Sequence, residues 1–308
     1  RRLPRDAARP AGGLTCGGRR ACPTTEGGRV PEGDILRLVS ARLDEALKDR
    51  VLVRSDLRWP SAAEIDLVGR TVVGNQAYGK HLFTRFDDGR SLHTHLRMEG
   101  SWRLARTGTH DARGAEPNVR VVLANEWWTA VGNRIGMLHV LRTADERVIV
   151  GPLGPDVLGD DFPETGLPEA AARMRADDAA GGSGPRYRPE RAATGVPVAE
   201  ALLDQHLVAG IGTIYTAESL FAEHVYPWTP VRDVEDLEGL LLTARTLMQR
   251  TVRHGFDPRA GVVRHVHGRT RKACHVCGTP VAEGTANEPP YDRPIFWCPN
   301  CQAPPAAG

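Results

Sequence analysis

Four cysteines near the end of the chain, Cys274, Cys277, Cys298 and Cys301, follow the spacing C-x2-C-x20-C-x2-C. In a reducing compartment two such knuckles of thiolate can close a tetrahedral shell around one Zn2+, which replaces the core that so short a segment lacks. Four sulfur ligands leave no position for water, so the metal expected is structural, not catalytic. Two disulfides of a secreted module are the alternative, and the arginine-rich start, with no apolar stretch, argues against it. A second pattern is the turn Gly210-Ile211-Gly212, which leaves the amides of Gly212, Thr213 and Ile214 at a helix start, where a phosphate oxygen could bind. Such a turn is also an ordinary connection between packed helices. The third is a basic run: Arg259, Arg264, Arg269, Arg271 and Lys272 share a stretch without a single acid, beside His265 and His267. It reads either as a solvated face or as a path along a phosphate backbone. Its position before a cysteine module makes nucleic acid the expected partner. Finally, the tetrad Pro31-Glu32-Gly33-Asp34 looks like the beginning of a protein, yet it stands well inside the chain.

These groups need a scaffold. A chain of 308 residues, 41% apolar and 25% charged, can bury a large core and divides into two or three domains. The net charge of +2 neither demands nor forbids a nucleic-acid partner, because the distribution of charge decides. Without an apolar run long enough to cross a bilayer, no membrane span is expected and the chain reads as cytosolic. Residues 1–29, rich in Arg, Gly and Pro, read as unfolded. From Asp34 onward Ile35, Leu36, Val39, Leu43, Ala46 and Leu47 follow helical spacing behind an acidic cap. Short alternating segments follow, divided at Tyr78-Gly79-Lys80 and at Asp87-Asp88-Gly89, and predict an antiparallel sandwich or barrel. Residues 175–191 read as a flexible link. Beyond them Ala201, Leu202, Leu207 and Val208 predict a helix broken at Ala209–Gly212, with a second helix through Ile214, Ala217, Leu220 and Phe221.

The order of these parts resembles the formamidopyrimidine-DNA glycosylase and endonuclease VIII family, over residues 31 to about 302. Five motifs carry the likeness in sequence: "PEGD", "YGKHLF", "HLRMEGSW", "LLDQHLVAGIGTIYTAESL" and "DRPIFWCPNC". "PEGD" and "RPIFWCPNCQ" are more similar to endonuclease VIII, in particular to its actinobacterial second type, than to the 8-oxoguanine branch. The resemblance implies a multidomain α+β fold: an N-terminal helix and antiparallel β-sandwich (30–155), a linker (156–195), a helix-two-turn-helix domain (196–262), a zinc-ribbon hairpin (263–302) and a tail (303–308). It implies a monomeric DNA glycosylase with abasic-site lyase activity on damaged double-stranded DNA, and oxidised pyrimidines are the expected lesions. Pro31 would be the amine nucleophile that forms a Schiff base, Glu32 the general acid and base, and Lys80 a phosphate ligand or second amine. Arg293 would grip the phosphates flanking the flipped nucleotide, Gly212 and Thr213 would contact phosphates, and Met98 would fill the vacated stack beside Arg97. Glu218 is similar to the family's acid on the second helix. Read without the family, Pro-Glu is a helix start, Met98 core, Lys80 a solvated hairpin residue and Arg293 a partner of Trp297.

The chain also departs from the pattern. Thr213 stands where the family usually has Asn, which predicts weaker DNA affinity; Thr213 could still cap a helix. Ile35 stands in place of a second acid, and Glu99, after Met98, is a charge unsuited to entering a stack. With residues 1–29 attached, the Pro31 nitrogen is an amide without nucleophilicity. The expectation is therefore that translation starts at Val30, read from GTG, that residues 1–29 are an untranslated or removed leader, and that Glu26–Arg29 reflects a ribosome-binding sequence. The alternatives are a non-catalytic damaged-DNA-binding protein of the same fold and a helix-hairpin-helix glycosylase. The strands ahead of the helices and the cysteine finger argue against the latter.

Overall fold

The structure, a computed structural model, describes residues 22–23, 31–256 and 264–304. Val30, Arg259, most of the leader and residues 305–308 lie outside the described residues, and so do the expectations about them. After the two-residue strand β1 (Cys22–Pro23) comes the helix α1 (Gly33–Leu47), whose apolar positions recur every three or four residues and are buried. The strands β2 (Arg54–Leu57), β3 (Val72–Tyr78), β4 (His81–Phe86), β5 (Arg90–His95), β6 (Ser101–Arg106), β7 (Val119–Ala124), β8 (Trp128–Asn133) and β9 (Met137–Arg142) build two antiparallel sheets. One has the order β1-β6-β8-β7-β2 and the other β3-β4-β5-β9. Leu104, Val121 and Leu123 from the first sheet meet Leu82, Phe86 and Leu92 from the second in a common core, which α1 joins through Leu36, Val39 and Leu43. This is the expected sandwich. Both large core clusters begin no earlier than Ile35, so a chain that starts at Pro31 keeps every one of their side chains.

The helices α2 (Glu146–Val150), α3 (Leu167–Ala180), α4 (Arg191–Thr194), α5 (Val198–Leu203), α6 (Thr213–Ala222) and α7 (Leu237–His254) follow, and the hairpin β10 (Ala282–Ala286) and β11 (Arg293–Trp297) closes the order. The second core takes Leu202 from α5, Leu220 from α6, Leu240 and Met248 from α7, and Ile295 and Phe296 from the hairpin, so the cysteine module is fused to the helices. Among the described residues no helix is long and apolar enough to cross a membrane.

Two sequence expectations need correction here. The segment expected as a flexible link is ordered: α3 runs to Ala180, its Ala170, Ala171 and Met174 are core, and Gly181 ends it in the left-handed conformation. Arg186, buried, pairs with Asp177 at 3.0 Å and with Asp204, so charges that composition reads as solvent-facing form an internal clamp. The helix expected to reach Val208 stops at Leu203. The Asp204 side chain accepts from the His206 amide at 2.8 Å, and the Gln205 side chain accepts from Gly210 N–H at 3.0 Å while donating to Ile211 O at 2.9 Å. Residues 204–212 thus form a long turn closed by side-chain bonds that compete with helix.

Candidate active site

Glu32 stands at the N-cap of α1, but its carboxylate does not cap that helix. It reaches the start of α6, where Oε2 accepts from Gly212 N–H at 2.9 Å and Oε1 from Ile214 N–H at 2.8 Å. Two of the three amides assigned by sequence to phosphate are therefore occupied by a side chain 180 and 182 residues away. Gly212 itself is the N-cap of α6, so Thr213 is the first helical residue and does not cap it. The backbone of the two segments is joined as well: Gly33 N–H donates to Gly210 O at 3.0 Å. A strap after the sandwich holds the other side of the turn through Ala209 N–H to Pro155 O at 2.9 Å and Val157 N–H to Ala209 O at 3.0 Å. Pro31 and Glu32 are buried at this junction, Glu32 with 1% of its surface exposed.

The need for glycine at 212 is one of space. A Cβ there would lie 2.4 Å from Glu32 Cδ and 2.7 Å from its Cγ, and the carboxylate cannot yield without losing both amides. Gly212→Ala is expected to destabilise the fold by about 1–3 kcal/mol, as overpacking does, which thermal denaturation would measure. A variant melting with wild type would contradict this geometry.

Lys80 enters from the tight turn between β3 and β4, where Gly79 takes a positive φ of 53° and a Cβ would meet Ala209 Cβ at 2.9 Å. Its Nζ donates to Ile211 O at 2.6 Å, so the Lys80 amine and the Glu32 carboxyl grasp the same turn. Burial raises the Glu32 carboxyl to about 7; Lys80 opposes that rise and Asp34 adds to it. Burial lowers the Lys80 amine to about 8, against the pull of Glu32, and Arg293 pushes it further down. Both groups can exchange protons near neutrality. Arg293 begins β11 and is exposed, within electrostatic reach of Lys80. Its guanidinium donates to Asp292 O at 2.7 Å.

Arg97 and Met98 lie on the loop between β5 and β6. Arg97 has a φ of 52°, and its N–H donates to His95 Nδ1 at 2.9 Å, which fixes the proton of that ring on Nε2. Met98 is 59% exposed, against the reading of it as core. Glu99 pairs with Arg134 at 2.6 Å, and both side chains are exposed. The sequence reading missed the imidazoles beside Lys80. His81 Nδ1 lies 2.9 Å from His93 Nε2, and His95 stands edge-on to His81 at 4.9 Å. Burial lowers His81 to about 4, with the Lys80 charge as a second cause. His93 and His95 are lowered to about 3, by burial first and the neighbouring imidazoles next. The alternation of His93 and His95 in a strand opposite His81 was the available signal.

At the far end, the four cysteine sulfurs lie within 4.8 Å of one another. A tetrahedron of Zn–S bonds of about 2.3 Å places sulfurs about 3.8 Å apart, and Cys274–Cys301 and Cys277–Cys298 are at 3.9 and 3.4 Å. The amides of Val276 and Cys301 point at Cys274 and Cys298 sulfurs at 3.4 and 3.5 Å, as suits thiolates. These residues could hold a metal ion. Glu218 on α6 joins the module to the helices by accepting from the amides of His265, Val266 and His267 at 2.8, 3.0 and 2.8 Å. Part of the basic run is thereby fixed in place, while Arg271 and Lys272 remain exposed.

Comparison with known proteins follows the same architecture. Residues 30–147 match the family model of the formamidopyrimidine-DNA glycosylase N-terminal domain. The chain is 42% identical over 284 residues to a probable endonuclease 8 2 of Streptomyces coelicolor, with 90% of this chain and 95% of that protein covered. It is 35% identical over 280 residues to a DNA-(apurinic or apyrimidinic site) lyase of Mycolicibacterium smegmatis, with 89% and 99% covered. In fold it matches the Lactococcus lactis formamidopyrimidine-DNA glycosylase bound non-covalently to abasic-site DNA. That match has a TM-score of 0.71 at 20% identity and spans 89% of this chain and 100% of that one. With relatives of this identity aligned over nearly their whole length, the chain belongs to the formamidopyrimidine-DNA glycosylase and endonuclease VIII family.

Proposed function

We propose that this protein is a bifunctional DNA glycosylase and abasic-site lyase of base excision repair that removes oxidised pyrimidines through a Schiff base on Pro31. The class of enzyme follows from the family. The observation that carries the mechanism is the Glu32 carboxyl, buried beside Pro31, held by the Gly212 and Ile214 amides, and titrating near neutrality. With a free secondary amine, Pro31 attacks the anomeric carbon and the base leaves. Glu32 gives its proton to the opening sugar and takes protons in the eliminations at the 3′ and then the 5′ phosphate. Lys80 and Arg293 hold the phosphates around the lesion, and Thr213 lies on the same phosphate path, whereas the Gly212 amide serves Glu32 instead. Exposed Met98, set on a turn fixed by His95, fills the space of the flipped nucleotide with Arg97 beside it. Cys274, Cys277, Cys298 and Cys301 would hold one structural Zn2+, which ties the hairpin that carries Arg293.

Borohydride trapping on abasic-site DNA tests the reading. A chain beginning at Pro31 is expected to form a covalent adduct, whereas the 308-residue chain, whose Pro31 nitrogen is a tertiary amide, forms none. Absence of an adduct from the shorter chain would favour the non-catalytic DNA-binding alternative. On a panel of lesions, oxidised pyrimidines are expected to be excised faster than oxidised purines; the reverse order would overturn the substrate assignment.

A further inference from the structure

Asp34 has so far no part in the chemistry, yet it is a second buried carboxyl close to Glu32 in the chain. Tyr215, on the first turn of α6, donates its hydroxyl to Asp34 Oδ2 at 2.6 Å. The same phenol lies 2.8 Å from Thr251 Oγ1 on α7, so one hydroxyl joins three helices in a site without solvent. A phenol has a single proton. With that proton donated in the hydrogen bond to Asp34, the Thr251 hydroxyl donates to the phenol oxygen, and the bond to a carboxylate is of the short charge-assisted kind. Burial and the adjacent Asp34 both push the phenol well above its ordinary range, which keeps it a donor.

The surroundings of Glu32 are thus two carboxyls from the α1 start facing one amine. Lys80 comes from the β3–β4 turn, Tyr215 from α6, and Arg293 from β11 acts on Lys80; α7 contributes Thr251 and Met248, which carry no charge. Two buried carboxyls that reach the adjacent residues Ile214 and Tyr215, each within the other's electrostatic reach, do not both ionise freely. We propose that Asp34, fixed by the Tyr215 hydroxyl, is a positioning residue that keeps the catalytic proton on Glu32. Asp34 touches neither sugar nor base in this scheme; its anion disfavours the Glu32 anion. The inference rests on the assignment of Glu32 as proton donor in the proposed function.

The test reads Glu32 directly. In the 308-residue protein with 13C-labelled glutamate carboxyls, the Glu32 signal, assigned by its loss in Glu32→Gln, is titrated between pH 4 and 9. Asp34→Asn is expected to lower its midpoint by about one unit, a tenfold change in the proton equilibrium. Tyr215→Phe lets Asp34 take up the proton and lowers the midpoint by less. If Asp34→Asn does not fold, Tyr215→Phe decides alone. In a chain beginning at Pro31, the alkaline limb of the pH profile for abasic-site cleavage is expected to move down with the Glu32 midpoint, and Asp34→Glu to restore it. An unmoved midpoint overturns the proposal, as does a moved midpoint with an unmoved limb. A wild-type chain from Pro31 that forms no borohydride adduct would instead defeat the proposed function, and the carboxyl titration would still judge the Asp34–Glu32 coupling.

Discussion

A chain beginning at Pro31 and carrying Glu32→Gln is expected to cleave abasic-site DNA about 10²–10⁴-fold more slowly than its parent, the span associated with a positioned acid–base group. Glutamine keeps the volume and one acceptor oxygen, so the loss is one of proton transfer rather than of shape. Where Glu32 receives both Gly212 and Ile214, glutamine can serve only one, and the other amide is left without its partner. The substitution also has a signature in stability. Burial raises the folded carboxyl from 4.5 to about 7, so between those values the native state binds a proton that the unfolded chain has released. Stability from this group is full below the lower value and is lost as pH rises through the upper one. Lys80 acts in a separate window: lowered from 10.5 to about 8, it makes stability rise with pH between those values. Melting temperatures measured from pH 4.5 to 7 should therefore fall less steeply in Glu32→Gln than in wild type. The slope is the readout, because the orphaned amide lowers the whole curve. Wild-type cleavage rates in the variant would remove Glu32 from the mechanism.

The same carboxylate marks the boundary of what could be read in the chain. The hairpins around Gly79-Lys80 and Asp87-Asp88-Gly89 were legible because alternation and turn residues are local signals, and these turns divide β3 from β4 and β4 from β5. The cysteine knuckles were legible for a similar reason: ligand spacing is fixed by metal geometry. An N-cap side chain that leaves its own helix to serve one in a distant part of the chain has no local trace. The family resemblance marks Glu32 as an acid and base and Gly212 as a phosphate contact, but nothing local in the sequence joins the one to the other. The α3 segment failed for a different reason. Gly, Pro and Arg suggest solvent, but burial of Arg186 between Asp177 and Asp204 depends on tertiary partners that composition does not contain. His93 was hidden similarly, since a buried imidazole next to His81 acquires meaning only from strand register.

Removal of metal from the cysteine module should have an effect of comparable size on function, by another route. Thiolate–zinc coordination in small modules is worth on the order of 10–16 kcal/mol at neutral pH, far more than the modest apolar area of a short hairpin can supply. Cys298 is the sensitive position because it is fully buried, accepts from the Cys301 amide through its sulfur, and donates its own N–H to Gln302 Oε1 at 2.9 Å. Gln302 in turn donates to Val225 O at 2.9 Å, just past α6, so loss of the shell also loosens the finger from the helices. One zinc per chain is expected by elemental analysis. Cys298→Ser or a strong chelator should reduce cleavage of abasic-site DNA to near background. Helical circular dichroism should largely persist, because the sandwich core holds no sulfur ligand and α6 packs directly on α5 and α7, although Cys274 and Cys298 share the helical core. The Glu218 bonds to the amides of 265–267 lie before the first knuckle and should keep the base of the module attached, which confines the damage to the β10–β11 tip and Arg293. Arg293→Ala with zinc retained should therefore reproduce most of the loss in DNA affinity. Full activity in zinc-free protein would show that the hairpin holds Arg293 without metal.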